Sequence, residues 1–207
     1  MRARVSTSAV GLALALTVSL SACSTGAQEQ ASPAGGSPSP AATVDTDQLL
    51  AEVGLDGRSG QEIVEELERS PEPRPLAVGA SVREDHVLVS DGTQEVAVPL
   101  PEDAFYVSVA PFVEETHECF YHSLATCRGE LAGEEVSVLI SDGDGQVLVD
   151  ETVTTGANGF TGFWLPRGIE GGTIEVTADG LEGSVPLATT PGSPTCVTTL
   201  QLAPVEA

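Results

Sequence analysis

Short stretches of alternating apolar and polar residues, each bounded by turn-forming residues, fill the chain from residue 76 to residue 202. A period of two places every second side chain on the same face of a β-strand. Roughly eight or nine such stretches recur at spacings of about 8 to 12 residues, and no helical pattern alternates with them. They lie at residues 86–90, 94–98, 105–110, 135–140, 146–150, 162–165, 173–177, 184–187 and 197–202. The pattern predicts a mainly β fold, with an antiparallel β-sandwich or barrel-like C-terminal domain over residues 76–207.

A small helical segment is predicted over residues 45–75, ahead of the strands. Residues 46–53 have the pattern of two helical turns, and Ser59 with Glu62 has the spacing of a capping box that opens a second helix. The apolar face of the second helix is expected to comprise Ile63, Val64 and Leu67. The glutamates of this helix are expected to face solvent, namely Glu62, Glu65, Glu66 and Glu68. A helical hairpin of this size does not fold alone, so it must pack against another part of the chain.

The first 23 residues have the pattern of an exported bacterial lipoprotein. Two arginines precede a short apolar run, and residues 20–23 read Leu-Ser-Ala-Cys, which resembles a lipobox. We therefore predict that residues 1–22 are a signal peptide and that Cys23 is lipidated, which anchors the protein to the cell membrane on its periplasmic or extracellular side. The alternative is an ordinary signal peptide with an incidental cysteine. Residues 23–44 carry the lipidated cysteine and a Ser-, Pro- and Gly-rich stretch that predicts a flexible linker.

The chain is strongly acidic, with a formal net charge of −23 at pH 7 from 31 acidic and eight basic residues. The predicted signal peptide holds two of the basic residues and none of the acidic ones, which leaves the mature chain at −25. Such a charge argues against nucleic acid as a partner and against electrostatic binding to an anionic lipid surface. It attracts cations to the protein surface, which suits a metal-binding protein without establishing one.

One short stretch concentrates side chains that bind soft metal ions. His117, Cys119, His122 and Cys127 lie within eleven residues, and Cys196 follows far along the chain. Thiolate sulfur and imidazole nitrogen are ligands of Cu(I) and Zn(II). The spacing is not that of a zinc finger, since no cysteine pair of the required form accompanies the two histidines. These five residues are the candidate metal ligands, with copper preferred over zinc as the ion.

Three cysteines remain for disulfide or metal chemistry once Cys23 is lipidated. In an oxidising compartment one disulfide leaves one thiol over, and metal binding or redox chemistry would explain the spare thiol. The plainer alternative is a structural disulfide, Cys127–Cys196 or Cys119–Cys127, with the third thiol buried and inert. Thiolates also reduce Cu(II) when they oxidise to a disulfide, so a three-thiol site can accept Cu(II), reduce it and keep Cu(I).

Three blocks of the sequence form a combination more specific than any single motif. They read FYVSVAPFVEETHECFYHSLATCRGELAG from residue 105, NGFTGFWLPRG from residue 158 and TCVTTLQL from residue 195. Together they resemble the CueP family of bacterial periplasmic copper-binding proteins, and the resemblance extends over residues 46 to 202. It implies a copper-tolerance protein with a small helical N-terminal part and a β-rich C-terminal part.

The resemblance also implies roles for particular residues. It places the family's three cysteines, which are associated with Cu(I) binding and with reduction of Cu(II), at Cys119, Cys127 and Cys196. His117 and His122 fall inside the same block. The lipobox is a departure from the family pattern, because well-known members are freely soluble.

The predicted function is therefore extracytoplasmic copper handling, in which the chain sequesters or delivers Cu(I) and reduces Cu(II) through its thiols. An extracytoplasmic copper enzyme such as a superoxide dismutase is the expected acceptor. The alternative is a disulfide-stabilised surface lipoprotein β-domain that binds a protein or a cell-wall partner. The sequence lacks the Gly-x-Ser-x-Gly elbow of a serine hydrolase, and thiol-dependent reduction of Cu(II) is the one reaction expected of it.

Overall fold

The computed structural model of the protein describes residues 44–205. The predicted signal peptide, Cys23 and the predicted linker up to residue 43 lie outside these residues. The predicted helical segment and nearly all of the predicted β-rich domain lie within them. Among the described residues, no helix is long and apolar enough to cross a membrane.

Two short helices open the described part of the chain, as the sequence predicts. Helix α1 covers Thr46–Glu52 and is capped by Asp45, whose side chain accepts a hydrogen bond from a backbone N–H of the first turn. Helix α2 covers Gly60–Glu68 and begins with the predicted capping box, in which the side chains of Ser59 and Glu62 each accept from the other's backbone N–H. These caps satisfy N–H groups that have no partner within the helix, so short sequences can form helices once they pack on a sheet.

Eleven strands follow and form three sheets within residues 44–205. The strands are β1 Gly79–Val82, β2 His86–Ser90, β3 Glu95–Pro99, β4 Ala104–Val109, β5 Glu135–Ser141, β6 Val147–Thr154, β7 Thr161–Pro166, β8 Gly172–Ala178, β9 Leu181–Leu187, β10 Cys196–Val197 and β11 Ala203–Pro204. The strand orders are β1-β2-β3, β10-β4-β7 and β11-β9-β8-β5-β6. The predicted fold class, mainly β with a small N-terminal helical pair, is confirmed.

All strand pairs but one are antiparallel, and the exception positions the candidate site. Strand β10 pairs in parallel with β4, with Cys196 opposite Ser108. The pattern at residues 197–202 predicted a longer strand, but regular pairing covers only the two residues of β10, and the segment beyond joins an isolated bridge between Phe112 and Gln201. Strand β1 was not predicted, because three of its four residues are Gly, Ala and Ser, which give almost no alternation to detect.

Two apolar clusters form most of the interior. In the first, the inward faces of α1 and α2 pack on the sheet β1-β2-β3, where Ile63 and Val87 are completely buried. In the second, β4 and β7 pack against the five-stranded sheet, where Val107 and Ile174 are completely buried. A third, smaller cluster is formed by Ala110, Cys127, Phe160 and Cys196. The helical pair thus has the packing partner that its small size requires.

The sheet β10-β4-β7 contributes to both large clusters. Tyr106 and Trp164 belong to the first cluster, whereas Val107 and Phe163 belong to the second. Alternate residues of a strand face opposite sides, so this sheet is covered on both faces. Double coverage explains why the residues Phe105–Val109 of β4 are all buried. The two-residue strand β10 is therefore held by a strand that is buried on both faces.

Candidate metal site

Four of the five candidate ligands lie on the long, largely irregular loop between β4 and β5. The carboxylate of Glu130 folds the start of this loop, since its Oε2 accepts the N–H of Val113 at 2.7 Å and of Glu114 at 3.0 Å. These bonds lower the pKa of Glu130. The hydroxyl of Thr116 donates to the carbonyl of Thr198 at 2.6 Å, which ties the same segment to the chain after β10. Hydrogen bonds therefore hold the loop in place although it has little regular structure.

Further hydrogen bonds join the ligand loop to β10 and β1. The carbonyl of Phe120 accepts the N–H of Thr195 at 3.0 Å and of Cys196 at 3.2 Å. The hydroxyl of Thr195 accepts the backbone N–H of His122 at 3.0 Å and donates to the carbonyl of Val82 at 2.9 Å. Because one threonine joins all three segments, His122 and Cys196 are fixed next to each other.

The three sulfurs lie together. Cys119 and Cys196 form a disulfide, and Cys127 is a free, buried thiol whose Sγ lies 3.5 Å from the Sγ of Cys119. Neither pairing considered from the sequence, Cys127–Cys196 or Cys119–Cys127, is the one observed. A tight turn directs Cys127 inwards, since its N–H donates to the carbonyl of Ser123 at 3.0 Å, whereas Cys119 lies beside β10 with its Cα 5.7 Å from that of Cys196.

The five candidate ligands form two overlapping groups. His117, Cys119 and Cys127 make up the outer group, and His122, Cys127 and Cys196 make up the inner group. Within each group the ligand atoms all lie within 4.8 Å of one another. Two sulfurs bound to one ion at about 2.3 Å each can lie at most about 4.6 Å apart, so these spacings are close to what a shared ion requires. Cys127 belongs to both groups.

The two groups differ in exposure. His122 and Cys196 of the inner group are 0% and 3% exposed. His117 and Cys119 of the outer group are half-buried and line an open depression together with the exposed Phe120. The Nε2 atom of His117 is buried and has no hydrogen-bond partner among the described residues. Since buried polar atoms are rarely left unpaired, this nitrogen is available to a ligand that enters from the depression.

A buried carboxylate from helix α2 faces the inner histidine. Glu68 is only 7% exposed, and its Oε2 lies 2.8 Å from the Nε2 of His122, in the geometry of a short ion pair rather than of an aligned hydrogen bond. Glu68 also accepts hydrogen bonds from the hydroxyl of Tyr106 and from the Nδ2 of Asn158, both at 2.9 Å. The expectation that Glu68 faces solvent was wrong. It follows Val64 by four residues and so shares the buried face of the helix, a spacing that could have indicated its burial.

The contact between Glu68 and His122 changes the acidity of both groups. Burial alone would lower the pKa of His122, but the negative charge of Glu68 and the hydrogen bond with Cys127 raise it to about 9. Burial would raise the pKa of Glu68, but the charge of His122 and the hydrogen bonds from Asn158 and Tyr106 hold it below its usual value. At neutral pH the metal-free pair is therefore an imidazolium beside a carboxylate, and a metal ion that binds His122 must displace a proton.

Comparisons with known proteins agree with the chemistry of these side chains. A family model described as "Periplasmic copper-binding protein CueP" matches residues 62–201. The solved structure titled "Crystal Structure of S.CueP" matches with a TM-score of 0.74 and 39% sequence identity, over 79% of this chain and 100% of that chain. A search of curated proteins gave no significant match. The residues matched by the family model include Glu68 and all five candidate ligands.

Proposed function

Because this chain belongs to the CueP family of periplasmic copper-binding proteins, we propose that it captures Cu(I) outside the cytoplasm with the thiolates of Cys119, Cys127 and Cys196. The observation that carries the proposal is the convergence of three sulfurs and two imidazoles around Cys127. Three sulfurs, or two sulfurs with an imidazole, suit Cu(I), which prefers soft ligands. His117 and His122 complete the ligand set, one in each group.

The same cysteines account for reduction of Cu(II). Cys119 and Cys196 are placed to form a disulfide, and its formation from two thiols releases two electrons and two protons. The two electrons convert two Cu(II) ions to two Cu(I) ions. Cys127 stays outside the disulfide and retains one Cu(I) ion with an imidazole, while the second Cu(I) ion leaves. A further cycle requires a dithiol reductant that reopens the disulfide.

Lipidation of Cys23 holds the copper site near the outer face of the membrane, on a linker that ends near residue 44. In this position the protein buffers Cu(I) at the membrane and delivers it to an extracytoplasmic copper enzyme such as a superoxide dismutase, which supports copper tolerance. The outer group supports delivery to an acceptor. Cys119 and Cys127 both line the depression, but Cys119 is only half-buried, so its sulfur is the more accessible from solvent.

The test is an anaerobic Cu(I) titration of the reduced chain from residue 24 onward, in competition with a chromophoric Cu(I) chelator. We expect one tightly bound Cu(I) per chain, lost in Cys127→Ser and in Cys196→Ser. Adding Cu(II) to the reduced protein in the presence of the chelator measures reduction, with one thiol consumed for each Cu(I) formed. A chain that binds no Cu(I) above the chelator background rejects the proposal.

The same titration separates two alternatives. If the chain is a surface β-domain with a structural disulfide, the number of reactive thiols should be the same with and without copper, and no stoichiometric Cu(I) should bind. A structural zinc site predicts tightly bound Zn(II) that Cu(I) does not displace. Because thiolates favour Cu(I), we expect Cu(I) to displace Zn(II) from the chain.

A further inference from the structure

The block that starts at residue 158 supplies neither a sulfur nor an imidazole to the site, yet it lies against it. Asn158 at its start donates to Glu68, as described above. Gly162 lies against the hydroxyl of Tyr106, which donates to the same carboxylate, and a side chain at position 162 would collide with it. Phe160, between them in the sequence, packs against His122 with the two rings tilted and their centroids 4.6 Å apart. This block therefore surrounds the pair of Glu68 and His122 rather than the sulfurs.

The carboxylate of Glu68 is fixed from three directions. Its Oε1 accepts from Asn158, and its Oε2 accepts from Tyr106 and faces the Nε2 of His122. The donors come from β4 and from the segment before β7, while Glu68 is the last residue of α2. Burial and the Glu68 charge raise the pKa of Tyr106 well above its usual value, so its phenol keeps the proton that it donates. With its position fixed in this way, Glu68 can fix the orientation of a neighbouring group.

The two ring nitrogens of His122 face different surroundings. Nε2 lies 2.8 Å from Oε2 of Glu68, whereas Nδ1 lies 3.7 Å from the Sγ of Cys196. We infer that Glu68 is a positioning residue of the copper site, whose carboxylate holds the His122 ring so that Nδ1 is the nitrogen presented to copper. The inference rests on the proposed function, because it concerns how one ligand of that site is oriented.

The physical reason is that an imidazole can bind a metal through either nitrogen. A carboxylate that accepts the N–H of one nitrogen leaves the lone pair on the other and stops the ring from turning over. Without Glu68, rotation of the His122 ring would exchange the two nitrogens. For part of the time the nitrogen that faces the sulfur of Cys196 would then carry a proton and could not bind copper. Loss of such a partner typically weakens metal binding by about 10- to 100-fold.

The test compares Glu68→Ala and Glu68→Asp with the wild-type chain from residue 24 onward, reduced and loaded with one Cu(I). Asp keeps the charge but withdraws it from His122 by about one carbon–carbon bond, about 1.5 Å, so it separates position from charge. The readouts are Cu(I) affinity by chelator competition and the ¹⁵N spectrum of labelled histidine, which distinguishes a metal-bound ring nitrogen from a protonated one. For wild type we expect copper on Nδ1 of His122 and a proton on Nε2.

In both variants we expect copper to move in part to Nε2 and the affinity to fall by about 10- to 100-fold. The matched control is Glu65→Ala on the same helix, whose carboxylate pairs with the exposed Arg69 instead of the site, and it should leave both readouts unchanged. If Glu68→Ala does not fold, Glu68→Asp decides by the same readouts. A folded variant with Nδ1-bound copper and unchanged affinity overturns the inference. A wild-type chain that takes up no Cu(I) rejects the proposed function itself.

Discussion

The inner and outer sides of the candidate site use the same chemistry in opposite surroundings. On the inner side His122 is completely buried, its backbone is tied to Thr195 and its ring lies against Glu68. On the outer side His117 is half-buried, its Nε2 has no partner among the described residues, and the nearby Phe120 is 50% exposed. This difference in burial suggests separate roles for the two sides, one in holding copper and the other in exchanging it. We expect the inner side to hold copper and the outer side to admit and release it.

The largest effect is expected at the residue common to both sides. Cys127→Ser replaces the one thiolate shared by the inner and outer groups with a hydroxyl, which is a poor ligand for Cu(I). We expect the affinity of the reduced protein for Cu(I) to fall by at least about 100-fold. Chelator competition measures the change, with Cys119→Ser as the comparison because it removes a sulfur from the outer group alone. Equal losses in the two variants would contradict the expectation that Cys127 contributes most to Cu(I) affinity.

The two histidines give the next effect and the most direct comparison. His122→Ala should lower the Cu(I) affinity by about 10- to 100-fold, whereas His117→Ala should change it by only about 2- to 5-fold and mainly slow copper uptake. Removal of His122 also leaves Glu68 buried without its charge partner, which typically costs about 3 to 5 kcal/mol of stability. Titration, stopped-flow uptake and thermal unfolding of both variants measure these changes. A greater loss of affinity in His117→Ala would reverse the assignment of the two sides.

Glu68 also illustrates which features could be predicted from the sequence alone and which could not. The strands and helices were predictable because alternation, helical periodicity and caps are local signals, and the capping box of Ser59 and Glu62 was found from four residues. The five candidate ligands were identifiable because thiol and imidazole chemistry is carried by residue type. By contrast, the pairing of Cys119 with Cys196 and the contact of Glu68 with His122 depend on segments far apart in the sequence. No local pattern encodes such contacts, so these features required the structure.

The charge pair on the inner side predicts a pH dependence of stability. The pKa of His122 is raised to about 9 from 6.5, so its stabilising contribution is complete below pH 6.5 and is lost as the pH rises through about 9. We expect the free energy of unfolding of the metal-free protein to fall by roughly 3 kcal/mol between neutral pH and pH 10. The pKa of Glu68 is lowered, so its contribution is lost at the acidic end, as the pH falls through its folded pKa.

Denaturant unfolding at a series of pH values checks this dependence. Glu68→Gln should remove most of the decrease above neutral pH, because the raised pKa of His122 depends on the charge of Glu68. Glu65→Gln, on the same helix, serves as the control because the Glu65 carboxylate pairs with the exposed Arg69 and not with His122. A wild-type curve that stays flat from pH 7 to pH 10 would contradict the prediction.

The smallest effect is expected at the rim of the outer side. Phe120→Ser removes an exposed aromatic ring that lines the depression but supplies no ligand atom. We expect the equilibrium affinity for Cu(I) to stay within about 2-fold of wild type, because the sulfurs and imidazoles are unchanged. The rate of copper transfer to a competing chelator should rise, and stopped-flow transfer measures it. A large loss of affinity would mean that the rim holds the ligands in place and that the two sides are not independent.

The distance along the sequence between the parts of the inner side has a consequence for export. Cys196 follows Cys119 by 77 residues, and Glu68 precedes both, so the inner side draws on the first and the last thirds of the described chain. A chain that crosses the membrane N-terminus first has no complete inner ligand group until its last strands have crossed and paired with the rest of the fold. We therefore expect a copy that ends before Cys196, or one in which β10 has not paired with β4, to lack the inner ligand group.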